Sequence, residues 1–222
     1  MPQSSLPIIA IIGGTGKEGP GLALRWASVG YSIIIGSRQA EKAETTAADL
    51  NTRLGKNIVQ GMENGLAALK ADICVLTVVQ EAQQAVLETL KGDLQGKILV
   101  DATARVDFHQ PLPPAPPAAA RIAQDILGSG VRVVAAFQNV PSHALKKNLG
   151  GSLDSEVLVC SDDPDAAQQV IALSEAGGMR AFYAGNLDNA IVIEGLTSIL
   201  ISLNKHYGTK TASIHVTGLE NK

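Results

Sequence analysis

Three features of the sequence predict an α/β fold, a doubly wound parallel sheet with a small C-terminal α/β annex. Short apolar runs alternate with helical patterns, a glycine-rich turn follows the first run directly, and the rhythm changes in the last third of the chain. Residues 8–12 form a continuous apolar run, as expected of a strand buried on both faces. The glycine turn leads into a helix over residues 19–29, with Leu22, Trp26 and Val29 on one side and Gly30 as its stop. Residues 32–36 make the second strand, and an Ala-, Glu- and Lys-rich helix covers residues 40–54. A short third strand at 58–61, a helix at 64–69, a fourth strand at 73–78, a helix at 82–90 and a fifth strand at 98–101 continue the alternation.

Residues 107–117 interrupt this order. Pro111, Pro113, Pro114, Pro116 and Pro117 exclude both helix and central strand, so this stretch reads as an extended surface loop. Helix resumes at 118–127, and a sixth strand follows at 131–137. Beyond it the pattern predicts strands at 156–160 and 179–183, with a helix at 164–176 between them. The longest helix covers residues 186–206. Its apolar stripe (Val192, Leu196, Ile199, Leu200, Leu203) is widened by Ile191, Ile193 and Ile201. A helix this broadly apolar needs more than one surface to bury it, which a domain interface plus a subunit interface would supply, so a homodimer using this helix is expected. The division expected is 1–148 for the first unit and 149–222 for the annex.

Composition narrows the partners. Hydrophobic residues make up 45% and charged residues 18%, enough for a well-buried folded core. The formal net charge of −3 gives no affinity for a polyanion, so basic residues should act at single phosphates and no nucleic-acid partner is expected. Cys74 and Cys160 lie in separate apolar runs and read as buried thiols; without a CxxC or Cys/His cluster no metal site is expected, and a reducing cytoplasm fits. The stretch Met1-Pro2-Gln3-Ser4-Ser5 lacks the signature of a signal peptide. No uninterrupted apolar run approaches the roughly 20 residues that span a bilayer, so no membrane partner is expected. His109, His143, His206 and His215 are isolated, and Asp162-Asp163 before Pro164 reads as a helix-capping turn.

The glycine turn, Gly14-Thr15-Gly16-Lys17-Glu18-Gly19, has the spacing GxGxxG. Its position between a strand and a helix makes it a Rossmann-type dinucleotide loop. The first glycine permits the tight turn, the second lets the backbone approach a pyrophosphate, and the third allows close helix–strand packing. The helix start then offers free N–H groups and a positive dipole end to the anion. The end of the second strand selects the cofactor. An NAD site carries a carboxylate there, whereas this chain has Ser37 and Arg38, with Lys42 one helical turn later. A planar guanidinium fork, a hydroxyl and a point charge suit a 2′-phosphate, so NADP(H) is favoured, with Thr15 as a further hydroxyl donor. No Tyr-x-x-x-Lys or paired acid and base is evident for a proton-transferring dehydrogenase, so no catalytic residue is assigned. Hydride transfer between two organic cofactors needs mainly orientation and water exclusion.

Several segments occur in order along nearly the whole chain: Ile12-Gly13-Gly14-Thr15-Gly16, Ile35-Gly36-Ser37-Arg38, Val134-Ala135-Ala136-Phe137-Gln138-Asn139-Val140, Val159-Cys160-Ser161-Asp162-Asp163, Gly185-Asn186-Leu187-Asp188-Asn189 and Glu194-Gly195-Leu196-Thr197. This set resembles the NADPH-dependent coenzyme F420 reductases, or F420H2:NADP oxidoreductases. The resemblance implies direct hydride exchange between NADP(H) and the deazaflavin coenzyme F420 as co-substrate. It implies that Thr15, Gly16, Lys17 and Glu18 contact pyrophosphate and ribose, and that Ser37, Arg38 and Lys42 hold the 2′-phosphate. By the same resemblance Val78 and Ala82 line the central channel, Ala104 and Ser142 the nicotinamide end, and Gln138, Val140 and Asn189 face the deazaflavin. Two other readings stay open: an NADPH-dependent reductase of a flavin or other small acceptor, and a non-catalytic NADP-binding sensor or partner protein.

Overall fold

A computed structural model describes residues 6–219; the stretch Met1–Ser5, where a signal peptide was not expected, lies outside the described residues. The chain alternates β1 (Ile9–Ile12), α1 (Gly19–Ser28), β2 (Ile33–Ser37), α2 (Ala40–Leu54), β3 (Val59–Glu63), α3 (Asn64–Lys70), β4 (Ile73–Leu76), α4 (Gln80–Leu90) and β5 (Ile98–Asp101). It continues with α5 (Ala119–Leu127), β6 (Arg132–Ala135), α6 (Ser142–Leu145), β7 (Val157–Ser161), α7 (Pro164–Ala176), β8 (Ala181–Tyr183) and α8 (Ala190–Tyr207), the last preceded by a single 3-10 turn, Leu187–Asn189.

Among the described residues the strands form one sheet in the order β3-β2-β1-β4-β5-β6-β7-β8. The first six are parallel. β7 runs antiparallel to β6, and β8 parallel to β7. The sheet therefore continues past residue 148 without a break, with a reversal of direction at that point. Alternation along β1 shows why both faces are covered: Ile9 and Ile11 join one hydrophobic core, and Ala10 and Ile12 the other.

Helix α1 ties the last third to the rest. Its buried Arg25 donates to the carbonyls of Lys147, Gly151 and Gly177 at 2.9, 3.2 and 3.0 Å. Trp26 Nε1 donates to the carbonyl of Leu173 at 2.9 Å, and its ring meets Phe137 edge-on. Asp163 caps α7 as expected, accepting from the N–H of Ala166 at 2.9 Å. Asp162 instead pairs with Arg121 at 2.7 Å and accepts from the N–H of Leu187. Cys74 and Cys160 are both free and buried.

The proline-rich stretch is an extended loop laid along α8. Ser198 Oγ donates to the carbonyl of Leu112 at 2.8 Å, and Lys205 Nζ to that of His109 at 3.0 Å. Ala190, Ile193 and Leu200 of α8 face the core, whereas Val192, Ile199, Leu203 and Tyr207 are exposed. By length and composition Leu187–Tyr207 is long and apolar enough to cross a membrane, with 39% of that window buried in the protein. Glu194 interrupts the apolar run and is fully buried against Arg105.

Candidate functional site

The strand order reverses between β1 and β4, and the parallel strands β1 to β6 all end on the same edge of the sheet. Ligands of open α/β sheets bind at this reversal, outside the carboxyl ends of the strands. The glycine loop leaves β1 at that place. Gly13 has φ +69°, and a Cβ on it would sit 2.5 Å from Val78 Cγ1. Its N–H donates to Asn64 Oδ1 at 3.1 Å, and the N–H of Gly14 to the carbonyl of Gly36 at 2.9 Å.

The three motif glycines separate into two jobs. A Cβ on Gly19 would lie 2.7 Å from both Cα and carbonyl oxygen of Gly14, so this pair allows α1 to touch the loop. A Cβ on Gly16 would meet no atom closer than 3.9 Å, so the protein's own packing does not require a glycine there. That is the pattern expected where a ligand backbone, not a protein atom, comes close. No acidic residue occupies the first turn of α1, and no side chain caps its N-terminus. Pro20 has no N–H and the N–H of Gly21 donates to the carbonyl of Glu18 at 2.9 Å, so the N–H of Gly19 and the positive dipole end are what this helix start offers an anion.

Glu18 precedes α1 and is only partly exposed; its Oε1 is buried with no hydrogen-bond partner among the described residues. Burial pushes its carboxyl up to about 8, which favours the neutral form beside the anion site. Thr15 is half-buried, and Lys17 is exposed. At the end of β2, Ser37 is buried and its Oγ accepts from the N–H of Gln39 at 3.2 Å. Arg38 and Lys42 are exposed. Among the described residues neither cationic head group takes part in an ion pair, which leaves two charges for a ligand phosphate.

The other predicted residues mostly gather on the same edge. Val78 follows β4 over the glycine loop, Ala82 lies in the first turn of α4, and half-buried Ala104 follows β5. Gln138 and Val140 are buried in the turn after β6. Gln138 Nε2 donates to the carbonyl of Asp101 at 2.9 Å, and Gln138 Oε1 is buried without a partner among the described residues. Ser142 opens α6, whose Leu145 packs on Gly21 of α1. Asn189 stands apart. Its amide donates to the carbonyl of Ala184 at 2.7 Å, just after β8. It is two turns of α8 before Thr197, whose hydroxyl donates to the carbonyl of Gln138; eight residues of helix span about 12 Å.

Sequence reasoning missed several residues of this edge. Asp101 ends β5 and is fully buried; burial lifts its carboxyl to about 6, while hydrogen bonds from Thr103 and Gln83 limit the rise. A carboxylate closing the apolar run Ile98-Leu99-Val100 was the available signal. Phe137 adopts φ +79°, rare for a bulky residue, and aims the turn that carries Gln138. No local sequence signal marks it.

A glycine loop at the sheet's reversal point, an uncapped helix start and two free cations at the end of β2 define the class: a Rossmann-type dinucleotide-binding protein. Residues 8–105 match the family model described as NADP oxidoreductase, coenzyme F420-dependent. The F420-dependent NADP reductase of Methanothermobacter thermautotrophicus is 39% identical over 222 residues, 95% of each chain. That of Methanocaldococcus jannaschii is 40% identical over 223 residues, 96% of this chain and 99% of the relative. The chain belongs to the family of F420-dependent NADP reductases. A crystal structure from Arthrobacter sp. FB24, provisionally described as an F420-dependent NADP reductase, shares the fold with a TM-score of 0.78 at 24% identity, over 96% of this chain and 100% of that one.

Two outcomes test the geometry. Gly16→Ala should change stability by no more than about 0.5 kcal/mol yet weaken NADP(H) binding, whereas Gly19→Ala should cost about 1–3 kcal/mol through overpacking. Urea unfolding and ligand titration read both, and equal destabilisation by the two would contradict the division of roles. For Glu18 the sign follows from its raised pKa. The unfolded chain releases this proton near pH 4.5 and the folded one near 8, so Glu18 lowers stability progressively as pH rises between those values. Melting temperatures of Glu18→Gln should therefore fall less than those of the native protein across that window. Parallel curves would show that the carboxyl is not held neutral.

Proposed function

We propose that the protein is a reductase that transfers a hydride between NADP(H) and coenzyme F420, acting in the cytoplasm as a homodimer with small molecules as its only partners. The observation that carries this reading is the full-length similarity to proteins named F420-dependent NADP reductase. The site fits the first cofactor through Gly16, whose approach no protein atom fills, and through Arg38 and Lys42.

In this proposal the two bound cofactors supply the redox chemistry, a hydride exchanged between nicotinamide and deazaflavin rings. The protein's part is to bind, orient and exclude water. Ser37, Arg38 and Lys42 hold the 2′-phosphate. Gly14, Thr15, Gly16, Lys17, Glu18 and Gly19 present the loop and helix start to the pyrophosphate, and burial of Glu18, which favours its neutral form, lessens repulsion. Val78 and Ala82 line the central channel, and Ala104 and Ser142 the nicotinamide end, with small or apolar side chains that keep water from the reacting carbon. Gln138 and Val140, after β6, face the deazaflavin. Asn189, just before α8, faces the deazaflavin as well. Residues 149–222 complete the acceptor side and carry the dimer contact, supported by the exposed Val192, Ile199, Leu203 and Tyr207 and by a groove of about 310 Å³ that α8 forms with Pro111 and Pro113.

The direct test mixes protein, NADPH and oxidised F420 and follows the visible absorbance of F420. Its loss is expected; turnover only with FMN or FAD, or NADPH binding without turnover of any acceptor, would remove the proposal. In the same assay Arg38→Asp should raise KM for NADPH at least 10-fold more than for NADH, since attraction to a phosphate becomes repulsion. Sedimentation at micromolar concentration should give the dimer mass; a monomer would leave the apolar face of α8 without its proposed cover.

A further inference from the structure

The loop between β5 and α5 makes few hydrogen bonds of its own, from Arg105 to the carbonyl of Ala115 and from the N–H of His109 to Asp107. Its five prolines (Pro111, Pro113, Pro114, Pro116, Pro117) lack N–H donors and exclude a ladder or helix. Its two ends are instead gripped by one side chain. Glu194 of α8, fully buried, accepts from the N–H of Arg105 at 3.0 Å through Oε2 and from the N–H of Ala119 at 2.6 Å through Oε1. The Arg105 guanidinium lies 3.4 Å from the same Oε2 and compensates its charge.

The grip closes into a ring. Ala119 offers its carbonyl to Gln83 Nε2 at 3.1 Å, and the same nitrogen donates to Asp101 Oδ2. Asp101 Oδ1 accepts from the N–H of Thr103 at 2.9 Å. Hydrogen bonds thus run from Asp101 through Gln83 and Ala119 to Glu194 and Arg105, and back along the chain to Thr103. Ala104 lies between two members, Thr103 and Arg105. Ala82 is the neighbour of a third, Gln83.

We propose that Glu194 and Gln83 are positioning residues for the nicotinamide end of the site: through this ring they set where Ala104 and Ala82 stand. The inference rests on the reading that NADP(H) occupies the glycine loop with its reactive ring toward β4 and β5. Apolar contacts would suffice to retain a surface loop. Here two buried carboxylates sit close enough that Glu194 helps raise the proton affinity of Asp101, an electrostatically costly arrangement. It is spent on the two short segments that flank the reacting end. Both carboxylate oxygens of Asp101 and of Glu194 are engaged, and a buried network held in this way is stiff, the property an oriented hydride transfer needs.

Glu194→Gln presents an amide N–H2 to one of the two N–H donors and opens the ring there. Gln83→Met removes both donors of the other arc with little change in volume. In each variant adenosine 2′,5′-bisphosphate, which carries only the adenosine half of NADP, should bind within about twofold of the native affinity. The fluorescence of bound NADPH, which reports the surroundings of the nicotinamide, should shift toward that of the free cofactor. The rate of hydride transfer should fall about 10–100-fold, the scale expected for a displacement near 1 Å. Three results would overturn the proposal: equal weakening of both ligands, unchanged NADPH emission and rate, or loss of cooperative melting in both variants, which would make the role structural. Native protein that binds NADPH but leaves F420 oxidised would remove the function proposed above, while the ligand comparison would still decide this one.

Discussion

The contact between Gly14 and Gly19 sets the geometry on which the rest of the molecule depends. With a Cβ on Gly19 only 2.7 Å from the Gly14 backbone, no other residue lets α1 start this close to the end of β1. That closeness puts the N–H of Gly19 and the positive dipole end of α1 at the sheet's reversal point. It also fixes the direction of the helix. Two turns on, Arg25 and Trp26 reach the carbonyls of Lys147, Gly151, Leu173 and Gly177 and so anchor the last third of the chain. One close approach thus serves both the anion site and the docking of the segment after residue 148.

Charge is sorted by burial along the carboxyl edge of the sheet. Glu18, Asp101 and Glu194 lie inward, and burial raises the proton affinity of each. Lys17, Arg38 and Lys42 lie outward in water. A chain with net charge −3 therefore still presents a locally cationic rim to a phosphorylated ligand. Of the acids behind that rim, Asp101 and Glu194 accept from backbone N–H groups, and burial favours the neutral form of Glu18. The site asks its protein groups for placement and electrostatics, in keeping with chemistry carried by cofactors.

Much of this was legible in the residues. The strand at Ile98–Asp101 and the helices at Ala40–Leu54 and Pro164–Ala176 match their expected bounds, because hydrophobic period and caps are local signals. The sixth strand was expected to reach Phe137 and stops at Ala135, because Phe137 turns to a positive φ to pack against Trp26. The short helix at Ser142–Leu145 is too brief to show a period. Alternating elements predicted the parallel sheet that precedes the last third, whose changed rhythm did not show the direction of its strands; β7 pairs antiparallel with β6. The breadth of the apolar stripe on α8 was visible, and one side of it is now accounted for by the core.

What the sequence determined by itself was the order of the longer elements, and it set the expectation of a dinucleotide loop and of a 2′-phosphate contact. Each rests on residues within a few positions of one another: GxGxxG after a strand, Ser37 and Arg38 at a strand end, Lys42 a turn later. Only the tertiary structure decided which carboxylates matter. Glu194 meets Arg105 across 89 positions of chain and Ala119 across 75, and Asp101 meets Gln83 across 18. A buried acid is recognisable only once its hydrogen-bond donors have been brought around it, and that happens through packing between distant elements, which no local pattern encodes.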